Sequence, residues 1–454
     1  MSVCKVMIDH RYPHSSVFYR SLVQNFPKIT HGEGASIYDE RGKRYLDACG
    51  GAYVVNVGHG VREIAEAMAL QASKIAYVNG TAFTNGPAED LAAELARLNP
   101  AGLSKSYFLS SGSEAVEAAL KLARHHWAAK KMETKSKIIA FDPGYHGNTL
   151  LALSASSRKS YKEAYEPWLV PVRFMPAPYA YRCECGGESS CPACSGDALE
   201  SAILAEGPDQ VAAVIAEPVG GSSTGAAVPR SDYWRNVRSI CDRHGVLWIA
   251  DEVLAGAGRT GKWSALEHFG AVPDVLVMGK GLSGGYAPLS CVSTSEKLLE
   301  PILKADGAFK HAQTYSHTPL ICAAGLACVR YLKSRGLIER AARMGRLLGE
   351  RLKEMLEMPG VGDVRGIGML WAVELVADKK TKKPFPRELR ACETLAAAAR
   401  EQGLVVWPNP GHWRGEGDLV LLAPPFVISE GEIEEAVFLL KTSWEKTLDQ
   451  LTVK

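Results

Sequence analysis

Residues 246–280 read VLWIADEVL, then AGAGRTGKWSALEHFGA, then VPDVLVMGK. Two short apolar runs, residues 246–250 and Val275–Met278, each stop abruptly at a charged or small residue. Neither alternates polar with apolar side chains, so each reads as a strand covered on both faces. The same texture recurs upstream at residues 137–141 and Val211–Ala216. Amphipathic stretches separate these runs, the pattern of βαβ units feeding a parallel sheet. From Pro319 the texture changes. Helix-like stretches at 320–333 and 337–357 are followed by GIGMLWAVELV (366–376) and a helix near 430–440. The early segment YDERGKRYLDACGG (38–51) predicts a strand–turn–strand that packs on this later unit. The expected fold is α/β, with a large domain over 55–315 built on a mainly parallel central sheet. A smaller α+β domain is expected from both chain ends, with 1–54 packing on 316–454.

At 454 residues the chain is long enough for two or three domains. Its 52 Lys and Arg nearly cancel its 50 Asp and Glu, so no basic field points to nucleic acid or to an anionic membrane. The first twenty residues contain no apolar signal core, and no stretch approaches the roughly 18 apolar residues of a membrane span. Eleven cysteines in that setting read as reduced thiols. A cytoplasmic protein handling small molecules is expected.

Ligands of open α/β sheets bind outside the carboxyl ends of the strands. Here those ends carry Glu217-Pro218, Asp251-Glu252-Val253, Lys280-Gly281 and the run Asp142-Pro-Gly-Tyr145-His146-Gly147. Carboxylates, an amine and an aromatic therefore converge on one sheet edge. Ser111 and Glu114 have capping-box spacing ahead of a helical pattern (Val116, Leu120, Ala123, Trp127), so a helix should start there. Its free amides, its dipole and nearby hydroxyls make an anion site, although a plain N-cap has the same appearance. The run Gly256-Ala-Gly258-Arg-Thr-Gly261 matches a dinucleotide fingerprint, but no sufficient helix follows it and no acidic residue ends the next strand. A nicotinamide dehydrogenase is thereby left as a remote alternative.

At these residues the chain resembles the class III aminotransferases of the fold-type-I pyridoxal 5′-phosphate (PLP) enzymes. SSGSEAVEAALKLAR (110–124), GYHGNT (144–149), AEPVGG (216–221), DEVLAGAGRTGKW (251–263), GKGLSGGYAPL (279–289) and HAQTYSHTPLICAAG (311–325) follow in the family's order. The resemblance implies PLP as cofactor and Lys280 as the lysine that forms its Schiff base and then moves the proton. It implies Asp251 as the partner of the pyridine nitrogen, Val253 and Tyr145 on the two ring faces, and Gly112 and Ser113 at the phosphate. Glu217 would lie near the cofactor hydroxyl. Thr314, with Gln313, would reach the phosphate from a second subunit, making the active unit a homodimer or a dimer of dimers. His146 fits a structural or a functional role equally. No metal is assigned to this chemistry. The implied reaction is a ping-pong transfer of an amino group from an amine or amino acid to a 2-oxo acid. A lyase or aminomutase on the same scaffold would share Lys280 and Asp251.

Some relatives carry a glutamate five residues after the Glu of the Glu-Pro motif; here that place is Ser222. The gap points to the ω-amino acid:pyruvate or amine:pyruvate branch, with pyruvate favoured over 2-oxoglutarate. Tyr53, in GGAYVVNVGHG, stands where that branch has a pocket aromatic, and core packing at a strand end explains it as well. Arg414, in the expected loop 410–418, stands near the branch's acid-binding arginine; a solvated arginine paired with Glu416 or Asp418 is the plainer reading. Finally, Cys183-x-Cys185-x5-Cys191-x2-Cys194 offers four thiols in twelve residues. Four thiolates suit tetrahedral zinc, but the tight first pair favours reduced thiols in a surface loop.

Overall fold

The computed structural model describes residues 12–188 and 190–452. Its centre is a seven-stranded sheet whose spatial order is Lys105–Leu109, Ser290–Thr294, Val275–Met278, Leu247–Glu252, Val211–Ala216, Lys137–Asp142, Arg173–Pro176. Only Ser290–Thr294 runs against the others, pairing antiparallel with both neighbours; the remaining pairs are parallel. Val211–Ala216 and Leu247–Glu252 are buried along their whole length, as the unbroken apolar runs require. Two strands end later than the apolar pattern suggests. The ladder carries Asp251 and Glu252 into Leu247–Glu252 and Asp142 into Lys137–Asp142, because backbone pairing tolerates a charged last residue at the sheet edge.

Both chain ends build a second layer. Ser36–Asp39 and Arg44–Asp47 form the early strand–turn–strand, and Arg44–Asp47 pairs in parallel with Leu404–Val405. A four-stranded antiparallel sheet follows in the order Val361–Ile367, Leu370–Leu375, Glu416–Leu422, Trp407–Trp413. Helix Pro319–Ser334 packs on the helices Arg62–Lys74 and Gly86–Leu98. The next helix stops at Lys353 and tightens to a 3₁₀ turn over Glu354–Glu357, and the final helix extends well past residue 440, to Thr452. The expected loop 410–418 is instead a β-hairpin with Arg414 and Gly415 at its tip, both at positive φ. No helix among the described residues is long and apolar enough to cross a membrane.

The glycine run 256–261 joins these layers. A Cβ on Gly258 would fall 3.0 Å from Phe426, and one on Gly261 2.8 Å from Ala342. Between them Arg259 is buried, donating to the carbonyls of Met369 and Pro424. The fingerprint-like glycines serve close packing, with no nucleotide needed to explain them.

Candidate active site

The carboxyl ends of the parallel strands and the start of helix Gly112–Ala129 meet at one sheet edge. There Lys280, Asp251, Glu217, Val253, Tyr145, His146, Gly112 and Ser113 line one cavity of about 190 Å³. Lys280 follows strand Val275–Met278 with φ at 42°, a left-handed conformation uncommon outside glycine. Its Nζ lies 5.1 Å from the ring centroid of Tyr53. Burial pushes the amine down to about 8, against the opposing pull of the Asp251 and Glu217 carboxylates. Such an amine sheds its proton as pH rises through about 8, far more readily than an ordinary lysine, and can then serve as nucleophile or base.

His146 supplies what the strand-end reading lacked, a partner for Asp251. Its Nδ1 lies 2.7 Å from Asp251 Oδ2, and both side chains are almost fully buried. The carboxylate only accepts, so Nδ1 carries the proton; Asp251 Oδ1 accepts the Val253 amide at 3.0 Å. Glu217 is tied down likewise, accepting from the Tyr145 amide (3.2 Å), the Gly221 amide (3.0 Å) and the Ser223 hydroxyl (2.6 Å). Burial raises its carboxyl above the ordinary range, with His146 opposing.

The helix starts where the capping pattern places it, with Ser111 Oγ accepting the Glu114 amide at 3.3 Å. Glu114 does not complete the box. Its carboxylate instead accepts from the Ser110 amide at 3.1 Å and from Gln313 at 3.0 Å. Gln313 is therefore engaged within its own chain, while Thr314 is exposed and lines none of this cavity. The first helical amides, those of Gly112 and Ser113, have no helical acceptor, an arrangement that suits an anion. Asn148, not singled out from the sequence, fixes Ser113: the hydroxyl donates to Asn148 Oδ1 at 2.9 Å and accepts its amide at 3.0 Å.

A second cavity, of about 230 Å³, shares Tyr145 and Ser222 with the first and is also lined by Arg158, Lys159, His412, Arg414 and Asp142. Arg158 is a further residue that sequence reasoning missed. Its guanidinium donates to Asn409 Oδ1 (2.5 Å), to the Pro410 carbonyl and to Tyr161. No local motif announces it, since Asn409 and Pro410 lie 251 and 252 positions downstream. Arg414 stacks its guanidinium 5.1 Å from the Trp413 ring centroid. The expected pairing with Glu416 or Asp418 does not form: Asp418 is taken by Arg387 at 2.6 Å, and no ion pair joins Arg414 to Glu416 among the described residues. Tyr53 is buried in the short turn Gly50–Tyr53, beyond the strand end, with φ at 64° and Trp407 at 5.4 Å.

The class III aminotransferase family model matches residues 18–443. The chain belongs to the class III aminotransferases. An aminotransferase of Bacillus subtilis is 38% identical to it over 92% of this chain and 94% of the relative. A putrescine–pyruvate aminotransferase of Pseudomonas aeruginosa is 34% identical over 97% and 94%. The ω-transaminase of Pseudomonas jessenii, solved with pyridoxamine phosphate, superposes with a TM-score of 0.87 at 30% identity, covering 94% of each chain.

Class III aminotransferases depend on PLP, and the cavity of this aminotransferase fits it. It offers a buried amine of depressed basicity, a carboxylate held by an imidazole, and a helix start with unsatisfied amides. At that start any Cβ on Gly112 would fall 2.9 Å from Val253 Cγ1, so only glycine keeps the cradle open.

Proposed function

We propose that this class III aminotransferase moves an amino group from an amine or ω-amino acid to a 2-oxo acid, pyruvate before 2-oxoglutarate. Donor and acceptor would use the same site in turn. The supporting observation is the pair of adjoining cavities: Lys280 and Asp251 sit in one, and the other carries Arg158, Lys159 and Arg414 against the single carboxylate of Asp142. Arg158 is occupied by Asn409 and Pro410, so Arg414 is the guanidinium left to hold one carboxylate, bidentately. On its glycine-flanked hairpin tip it is free to swing aside for an uncharged donor. Ser222 leaves no acidic side chain at that position to manage a second carboxylate.

When bound, PLP supplies an electron sink for the carbon that loses its proton. In this reading Lys280 anchors the cofactor covalently and then carries that proton, which its lowered basicity suits. Asp251, oriented by His146, provides the negative charge for the ring nitrogen. Tyr145 and Val253 would enclose the ring, Glu217 would face its hydroxyl side, and Gly112 and Ser113 would hold its phosphate. Tyr53, close to the Lys280 amine, would bound the donor pocket.

We place the enzyme in the cytoplasm as a homodimer, or a dimer of dimers, with Thr314 reaching the phosphate of the partner subunit. Exposed Tyr77, Phe83 and Tyr315 give that neighbourhood an apolar surface. The two domains would divide near residues 55 and 315.

The deciding experiment supplies an amine panel with pyruvate or 2-oxoglutarate and follows both products. Pyruvate should be preferred by about tenfold or more in kcat/KM. Preference for 2-oxoglutarate overturns the acceptor assignment. Ammonia or isomer formed without any acceptor would instead indicate a lyase or aminomutase.

A further inference from the structure

Away from the active site, four cysteines from one irregular segment come together. The Sγ atoms of Cys183 and Cys185 lie 3.0 Å apart, those of Cys183 and Cys191 3.4 Å, and those of Cys185 and Cys194 3.7 Å. All four sulfurs fall within 4.8 Å of one another. We propose that Cys183, Cys185, Cys191 and Cys194 bind one structural zinc ion as a closed tetrathiolate site.

The cage has the size for a single ion. Metal–sulfur bonds of about 2.3 Å in a tetrahedron give sulfur–sulfur edges of about 3.8 Å. No sulfur pair is close enough to be covalently joined, a bond of about 2.0 Å, and the four cysteines are all free. The donor set contains sulfur alone, which selects zinc or iron over the harder divalent cations; with four protein ligands and no open position it is a structural rather than a catalytic set. The spacing objection raised by the tight first pair is met by the backbone. Gly186 and Gly187 take positive φ and turn the chain directly after Cys185. That turn aims the Gly187 amide at Cys185 Sγ, 3.4 Å away. Amides donating to sulfur stabilise a thiolate. On the other side Cys191 caps the turn Pro192–Ser195, whose amides at Cys194 and Ser195 return to the Cys191 carbonyl at 3.0 and 2.9 Å.

The surroundings explain what such a site is for. Between strand Arg173–Pro176 and helix Asp197–Glu206 the described residues form no strand, only the short turns Ala180–Arg182 and Pro192–Ser195. Yet this segment bridges the large sheet to the antiparallel one. On one side Asn236 donates to the Ser195 carbonyl at 2.9 Å and to Asp197 at 2.8 Å. On the other, Arg182 forms an ion pair at 2.6 Å with fully buried Glu374 of strand Leu370–Leu375, which also contacts His412 at 3.3 Å. Weak thiol–thiol contacts are poor compensation for ordering so irregular a bridge; four metal–thiolate bonds are ample.

The test is the metal content of the holoenzyme, purified under reducing conditions from zinc-supplemented cells and dialysed against a chelator. The expected result is one zinc per chain by mass spectrometry of the elements, released as a mercurial titrates four thiols. Cys185→Ser and Cys194→Ser should each lose the zinc and melt at lower temperature. Wild-type protein that is zinc-free with all four thiols alkylated in the native state overturns the proposal, as does iron in place of zinc or disulfides among these residues. Zinc retained in full by both variants overturns it too. Should the variants fail to fold, the wild-type metal and thiol counts decide alone, and neither depends on PLP or on turnover.

Discussion

Two influences oppose each other at the Lys280 amine. Desolvation favours the neutral form, while Asp251 and Glu217 favour the ammonium, and desolvation wins, leaving the amine near 8 instead of 10.5. Because the folded value is lowered, the neutral amine accumulates as pH rises through about 8 and is scarce below it. The cofactor-free protein should therefore capture PLP covalently at a rate that climbs through about pH 8 and levels off. Stopped-flow absorbance on mixing measures this, and a midpoint near 10.5 contradicts it. Asp251→Asn removes one of the two charges favouring the ammonium and should move the midpoint lower. Lys280→Ala should abolish the covalent visible absorbance and reduce turnover by orders of magnitude; normal turnover in that variant rules out the assignment. Arg414→Ala should weaken use of the 2-oxo acid by about 1.5–3 kcal/mol, the loss of a charge-assisted pair, in KM for pyruvate. The half-reaction with a simple amine should stay nearly unchanged. Equal falls in both halves, or none, mean the acceptor carboxylate is held elsewhere, with Arg158 the next candidate.

Among the elements, helix Leu337–Lys353 shows how closely the layers approach. A Cβ on Gly345 would stand 2.1 Å from the Gly368 carbonyl oxygen, in the turn between Val361–Ile367 and Leu370–Leu375. Neither partner is a flexible side chain, so the helix or the hairpin must move. Gly345→Ala should destabilise the protein by about 1–3 kcal/mol. Gly431 is the control: it lies in helix Glu430–Thr452 with open space around its Cβ position. Gly431→Ala should stabilise by about 0.4–1 kcal/mol through helix propensity and reduced freedom of the unfolded chain. Thermal melts of the two variants should shift in opposite directions. If both fall alike, packing at Gly345 is not the cause. The hairpin Trp407–Trp413/Glu416–Leu422 teaches a related lesson. Its glycines and prolines read as a loop, yet pairing to Leu370–Leu375 through Glu416–Leu422 imposes a sheet, and the loop shrinks to a two-residue tip that presents Arg414.

For the whole molecule, the open question is assembly. Thr314 is exposed in one chain and does not line the Lys280 cavity of that chain, which accords with a role across an interface. Analytical ultracentrifugation of the PLP-loaded enzyme should give a homodimer or a multiple of it. Thr314→Ala should then release PLP more readily on dialysis without dissolving the dimer. A fully active, PLP-loaded monomer refutes the shared site.

By itself the sequence determined four adjacent parallel strands of the central sheet and the residues at their edge; Lys105–Leu109, Arg173–Pro176 and Ser290–Thr294 were not read from it. A parallel strand is buried on both faces, so its signature is a local apolar run, and the residue after it falls at the ligand edge by topology. Lys280, Asp251 and Glu217 were legible for that reason, the helix start at Gly112–Ser113 by its capping spacing, and the order of motifs made the family legible too. Only the tertiary structure decided which partners these residues keep. His146 binds Asp251 across 105 positions, Arg158 binds Asn409 across 251, Gln313 returns to Glu114 across 199, and Arg387 removes Asp418 from Arg414. No hydrophobic period carries such pairings, because they depend on how the chain ends fold back over the sheet. The four cysteines show the same limit at short range. Their spacing left zinc and free thiols both open, and it is the glycine turn after Cys185 that brings the sulfurs into one cage.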